Sequence, residues 1–147
     1  MHGCRRSGFT LLETILSVTI IGLLAGLSIP VFYSFQANNS TGLAADIIAQ
    51  SLRRAQSLSQ AVSGDAEWGV KVVTTTATLF QGPSFASRNA SFDEVFEFSQ
   101  NVIVSGTSEF VFMKLYGYPQ PTGSIQLIST GGNNRIVTLN EKGTITY

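Results

Sequence analysis

Reactive side chains are almost missing from this sequence. It holds one cysteine, Cys4, and one histidine, His2, both within the first four residues. No disulfide framework can be built from one thiol, and no imidazole lies beyond residue 2 to serve as a general base or metal ligand. If the first residues are removed, Ser-His-Asp and Cys-His triads and His-ligated metal sites are excluded outright. Charge is scarce as well. Only 12% of the 147 residues are charged, nine basic against nine acidic, about half the share of roughly 25% usual in soluble domains. That balance excludes a disordered charged tail and a strongly electrostatic nucleic-acid binder. There is no Gly-rich phosphate loop followed by Lys and Ser or Thr, so the chain is not an ATPase of the P-loop type. The sequence reads as a non-enzymatic protein, with no metal and no cofactor expected.

What the sequence does have is one long apolar run. Positions 9–29 read FTLLETILSVTIIGLLAGLSI, with Glu13 as the only charge. As a helix this run would be roughly 31 Å long, against a bilayer hydrocarbon core of about 30 Å. Arg5 and Arg6 precede it, and the next basic residue is Arg53. The positive-inside rule then keeps the N-terminus in the cytoplasm and exports everything after Ile29. A secretory signal has a similar layout, but its apolar stretch is usually about 7–15 residues and ends in an A-x-A-like site, which is not obvious here. A twin-arginine address suits neither the long apolar helix nor Glu13. A plain single-pass anchor leaves Glu13 unexplained, since a carboxylate in a membrane helix costs about 2.5–3.5 kcal/mol on insertion scales unless it snorkels to the headgroups or finds a partner.

Five features occur together at fixed spacing: Arg5-Arg6-Ser7-Gly8, Phe9 directly after the glycine, Glu13 five residues into the chain that begins at Phe9, Gly22, and Pro30. This pattern resembles the N-terminus of the type IV prepilin family, which includes the pseudopilins of type II secretion. The resemblance implies that an inner-membrane prepilin peptidase cuts between Gly8 and Phe9 and methylates the new amine on Phe9. It also implies that Glu13 is an assembly residue, pairing with the Phe9 amine of a neighbouring subunit. Gly22 and Pro30 fall where the family's helix loosens, and Gly22 with Gly26 forms a small-xxx-small pair that allows close helix packing in lipid. Partners implied are the peptidase/methyltransferase, other pilin or pseudopilin subunits and inner-membrane lipid. Nucleic acid is not an expected partner, because Arg53-Arg54 reads as an ordinary solvated helix face.

The rest of the chain reads as an exported head. Asn38-Asn39-Ser40-Thr41-Gly42 is a cluster of helix breakers and predicts a bend or a frayed turn. Ala44, Ile48, Leu52, Ala55, Leu58 and Val62 then recur at three- and four-residue steps, an amphipathic helix that ends at Ser63-Gly64-Asp65. From Trp68 the period falls to two, predicting strands at 68–74, 77–81, 95–98, 102–104, 109–116, 124–130, 135–140 and 144–147, with a loop over 82–91. An antiparallel meander packed on the helix face follows. The expected fold is α+β and pilin-like: a long N-terminal helix, transmembrane in its first half, packed against an antiparallel β-sheet head. The expected divisions are a cleaved leader 1–8, a membrane and assembly helix 9–30, an amphipathic helix 31–62 and a β-rich head 63–147. The order of elements in the head resembles the GspH/FimT class. Absence of cysteine after the leader fits a minor subunit or pseudopilin better than a major pilin with a disulfide loop. Asp93, Glu94 and Glu97 could hold calcium in principle, but no calcium-loop pattern surrounds them and a solvated strand edge is the simpler reading. Tyr116, Tyr118, Pro119 and Pro121 form either an exposed patch or a sheet-edge cap.

The implied role is a structural subunit of a type II secretion or type IV pilus filament, held at the bacterial inner membrane with its head outside the cytoplasm and then built into a periplasmic or extracellular filament. The rival reading is a single-pass anchored exported β-rich domain that binds a ligand without polymerising. Cleavage after Gly8 would remove Arg5 and Arg6 and leave seven basic against nine acidic side chains, a formal charge of −2.

Overall fold

The computed structural model describes residues 10–147, and the side chains of 27–38 lie outside that description. Gly8 and Phe9 are therefore beyond the described residues. The chain divides into two compact units, 1–35 and 36–147. The backbone is helical over Leu11–Gln60, here α1. The breaker cluster Asn38–Gly42 does not interrupt the helix with a frayed turn: the backbone is helical through all five residues. Asn, Ser, Thr and Gly each disfavour a helix by only about 0.5–1 kcal/mol relative to Ala. Burial of Thr41, Ala44 and Ala45 in the head outweighs such a preference.

Nine strands follow: β1 Trp68–Val72, β2 Thr76–Gln81, β3 Asn89–Glu97, β4 Val102–Gly106, β5 Glu109–Phe112, β6 Pro119–Gln120, β7 Gly123–Ser129, β8 Asn134–Leu139 and β9 Ile145–Thr146. They make two antiparallel sheets rather than one meander. The first has the order β3-β2-β1-β5-β6 and the second β4-β7-β8-β9. The departure begins after Phe98, where β4 leaves β3 and pairs instead with β7, Val104 opposite Leu127. Alternation along a strand reveals its two faces but not which strand lies beside it, so the sequence pattern could not assign β4 to a second sheet.

The head's core lies where α1 meets these sheets. Ala44, Ala45, Ile48, Leu52 and Ala55 form one fully buried stripe of the helix. Val70, Val72, Leu79, Phe110 and Phe112 face it from the first sheet, and Val102, Ile125, Leu127, Val137 and Leu139 from the second. Three alanines on the stripe let backbones approach closely, while the large rings come from the strands. β5 and β7 alternate buried with more accessible positions, as strands of sheets solvated on one face do. β2 departs from that rule, because five consecutive residues from Ala77 to Gln81 are buried.

The helix end is fixed by the sheet. Leu115 N–H donates to the Ser59 carbonyl at 3.0 Å, and Trp68 N–H donates to Ser59 Oγ at 3.0 Å. Leu115 reaches its place only with φ of 75°, a left-handed conformation that is strained for a branched side chain.

Candidate assembly site

The first turn of α1 is built as an N-cap. Thr10 stands just outside the helix, and Glu13 N–H donates to Thr10 Oγ1 at 3.3 Å. Thr14 N–H donates to the Thr10 carbonyl at 3.1 Å, the first bond of the helical ladder. The T-x-x-E spacing is that of a capping box. It places the Glu13 carboxylate in the first turn, where the helix macrodipole favours negative charge. Among the described residues Glu13 takes part in no ion pair.

Beyond the cap the helix turns its polar groups inward on itself. Thr14 Oγ1 donates to the Leu11 carbonyl at 2.8 Å, Ser17 Oγ to Glu13 at 2.7 Å, and Thr19 Oγ1 to Ile15 at 2.7 Å. Each hydroxyl thereby satisfies its donor without water. Its apolar side chains point outward all round, from Leu11 at 79% exposed to Leu24 at 62%. A helix that is apolar on every side and hydrogen-bonded within itself requires an apolar environment, either lipid or other helices. Gly22 and Gly26 lie one turn apart with open space where a side chain would be. Pro30 falls within helical backbone, and its side chain lies outside the described residues. Among the described residues no helix is long and apolar enough to cross a membrane; the 9–30 segment expected to do so lies partly beyond them.

The charged side chains of the head are mostly paired with one another. Asp93 and Glu94 are consecutive on β3 and engage different arginines. Asp93 pairs with Arg88 at 2.7 Å, and Glu94 with Arg54 of α1 at 2.6 Å. Among the described residues no three potential metal ligands cluster. Arg53 lies over the Tyr147 ring at 5.6 Å, so both arginines are engaged by the head's own groups. Tyr116 and Tyr118 stack at 5.9 Å with ring planes 11° apart and remain half-exposed or more. Beside them Lys114 bonds Asp65 at 2.8 Å, and this bond and the positive charge hold the Asp65 carboxyl below the usual aspartate value. Two shallow clefts open on the surface. One, of about 550 Å³, runs along Lys71, Glu109, Val111 and Gln120. The other, of about 720 Å³, is bordered by Ser124, Ile136, Thr138 and Lys142.

Residues 3–29 match the family model described as the prokaryotic N-terminal methylation motif. The N-terminus is of prepilin type. That segment contains the capped helix start, Glu13 and both glycines. The solved structure of the minor pseudopilin EpsH from the type 2 secretion system of Vibrio cholerae matches this fold with a TM-score of 0.55 and 13% identity, over 73% of this chain and 94% of that one. The pilin-like α+β architecture is thereby shown, with the N-terminal helix packed on antiparallel sheets. No curated protein sequence matches the chain significantly. The prepilin-type N-terminus was legible through its resemblance to a known family, whereas the Thr10 cap and the inward-turned hydroxyls gave no such sign. Thr10 three residues before Glu13 was the available signal.

Proposed function

We propose that this protein is a minor pilin or pseudopilin, a structural subunit of a type II secretion or type IV pilus filament, and not an enzyme. Prepilin peptidase cuts between Gly8 and Phe9 and methylates the Phe9 amine. Residues 9–30 hold the subunit in the inner membrane with the head outside the cytoplasm, and the same helix becomes filament core on assembly. Within the filament Glu13 accepts the charge of a neighbouring subunit's Phe9 amine. Burying either charge alone would be costly, so the pair favours one register of helix against helix. Gly22 and Gly26 allow close approach of a neighbouring helix, and Pro30, which lacks a helical N–H, gives it play.

The observation that carries this reading is the coincidence of the methylation motif with an apolar helical run, up to residue 29, whose sole charge, Glu13, sits in its capped first turn. The head supports it by packing a core of its own between the C-terminal half of α1 and the strands. Mass spectrometry of the mature protein is the test. An N-methylated Phe9 at the N-terminus is expected. Intact Met1, or a new start near Ile29, would contradict the proposal and favour an anchored or secreted domain that does not polymerise.

A further inference from the structure

The segment 82–88 folds back on the first sheet, and its Phe85 ring packs on the buried Phe80 of β2. Its two ends touch: a side chain at Gly82 would sit 2.9 Å from the Arg88 Cα. Gly82 has φ of 143°, and its N–H is tied to the Glu67 carbonyl at 2.8 Å. Inside the segment Ser84 and Ser87 hydroxyls bond at 2.7 Å, and Arg88 Nη1 donates to the Phe85 carbonyl at 2.7 Å. The Arg88 guanidinium lies 3.8 Å from the centre of the Phe85 ring. Much of the bonding in this short loop is therefore within itself, the mark of an Ω-loop.

Its attachments to the sheet are few. The Phe85 ring meets Phe80 edge-on at 5.5 Å. Phe85 N–H donates to Glu109 Oε1 at 2.9 Å, while Glu109 Oε2 takes Lys71 at 3.2 Å. Arg88 Nε donates to Asp93 Oδ2 at 2.7 Å, and Asp93 Oδ1 is left buried with no partner. A buried acceptor without a bond is unfavourable in the closed arrangement, and water would satisfy it if the loop lifted. Pro83 borders the 550 Å³ cleft, whose wall also includes Lys71 and Glu109.

We propose that 82–88 is a strap that opens as a unit about Gly82 while the sheet beneath stays folded. Opening uncovers the Phe80 ring and frees Glu109, extending the cleft along β1 and β2. The closed strap is latched by Glu109 and by the Arg88–Asp93 pair. The device belongs to the head and is independent of whether the subunit polymerises.

Amide hydrogen exchange of the full-length protein in detergent micelles, read residue by residue by NMR, tests it. The Phe85 amide, held only by the latch, is expected to exchange at least about tenfold faster than the Leu79 amide in the β2 ladder. Glu109→Ala removes a charged acceptor and should speed Phe85 exchange by a further tenfold or so, leaving Leu79 unchanged. Equal rates at Phe85 and Leu79 in the unmodified protein would show that the strap opens only when the head unfolds and would overturn the proposal. Equal acceleration at both positions in Glu109→Ala would do the same.

Discussion

Leu11 and Leu24 on one side, Ile48 and Leu52 on the other, are the same kind of side chain in the same helix, α1. The first pair is more than half exposed; the second is wholly buried. The difference lies in what the surrounding chain supplies. From Ala44 onward two sheets arrive to cover one stripe of the helix, and the remaining faces carry Gln50, Arg53, Arg54 and Ser57 for water. Over 10–26 the apolar residues go all round and the hydroxyls are bonded to the helix's own carbonyls. A head that buries its own core is complete as a fold. An N-terminal segment that exposes its apolar surface on every side is complete only with lipid or other helices around it.

The two regions should therefore fail separately, and substitutions can sharpen or break that division. The largest effect on stability is expected from Phe110→Ala, which empties the centre of the head's core and should cost about 3–5 kcal/mol in chemical unfolding. Membrane insertion should be untouched. A variant that lost insertion along with head stability would join the two regions that the account separates. Gly69→Ala comes next. A Cβ at Gly69 would stand 2.7 Å from the Phe110 carbonyl oxygen and 2.5 Å from the Phe80 ring. A loss of about 1–3 kcal/mol is expected by the same measurement.

Leu115→Gly works in the opposite direction. Leu115 is mostly exposed and holds φ of 75° so that its N–H can cap the helix at Ser59. Glycine adopts that conformation freely, and the thermal midpoint of the head should rise, by an amount corresponding to at most about 1 kcal/mol. The smallest effect belongs to Asp65. Its carboxyl titrates below the ordinary aspartate value in the folded head because Lys114 bonds and attracts it. The pair therefore stabilises the head slightly above the unfolded aspartate range, and that stabilisation disappears as pH falls through the lowered value. Melting curves of Asp65→Asn should lie slightly below those of the unmodified protein at neutral pH and coincide with them in strong acid.

The same contrast explains what the sequence disclosed. Local patterns were readable: the three- and four-residue stripe Ala44, Ile48, Leu52 and Ala55, and the period of two in β5 and β7. What escaped depends on contacts between distant residues. β4 pairs with β7 across more than twenty residues. β3 begins at Asn89 rather than near Val95 because β2 supplies a partner, with a register shift opposite Leu79 and Gln81. β5 stops at Phe112 because Leu115 is drawn away to the helix end. In the prepilin-type segment, Glu13 and Gly22 drew notice through the resemblance to the prepilin family and, for Glu13, as the one charge in an apolar run. The strap did not, since Phe85, Arg88, Asp93 and Glu109 come together only in three dimensions.

The proposed assembly role of the N-terminal helix centres on Glu13. The direct measurement compares Glu13→Ala with the unmodified subunit, scoring its level in the membrane and its presence in sheared filaments formed with all other subunits present. The account predicts an unchanged membrane level, an unchanged melting temperature of the head, and a loss of at least about tenfold from the filament fraction, since an amine buried without its partner carries a penalty of several kcal/mol. Incorporation of Glu13→Ala at the unmodified level would contradict it.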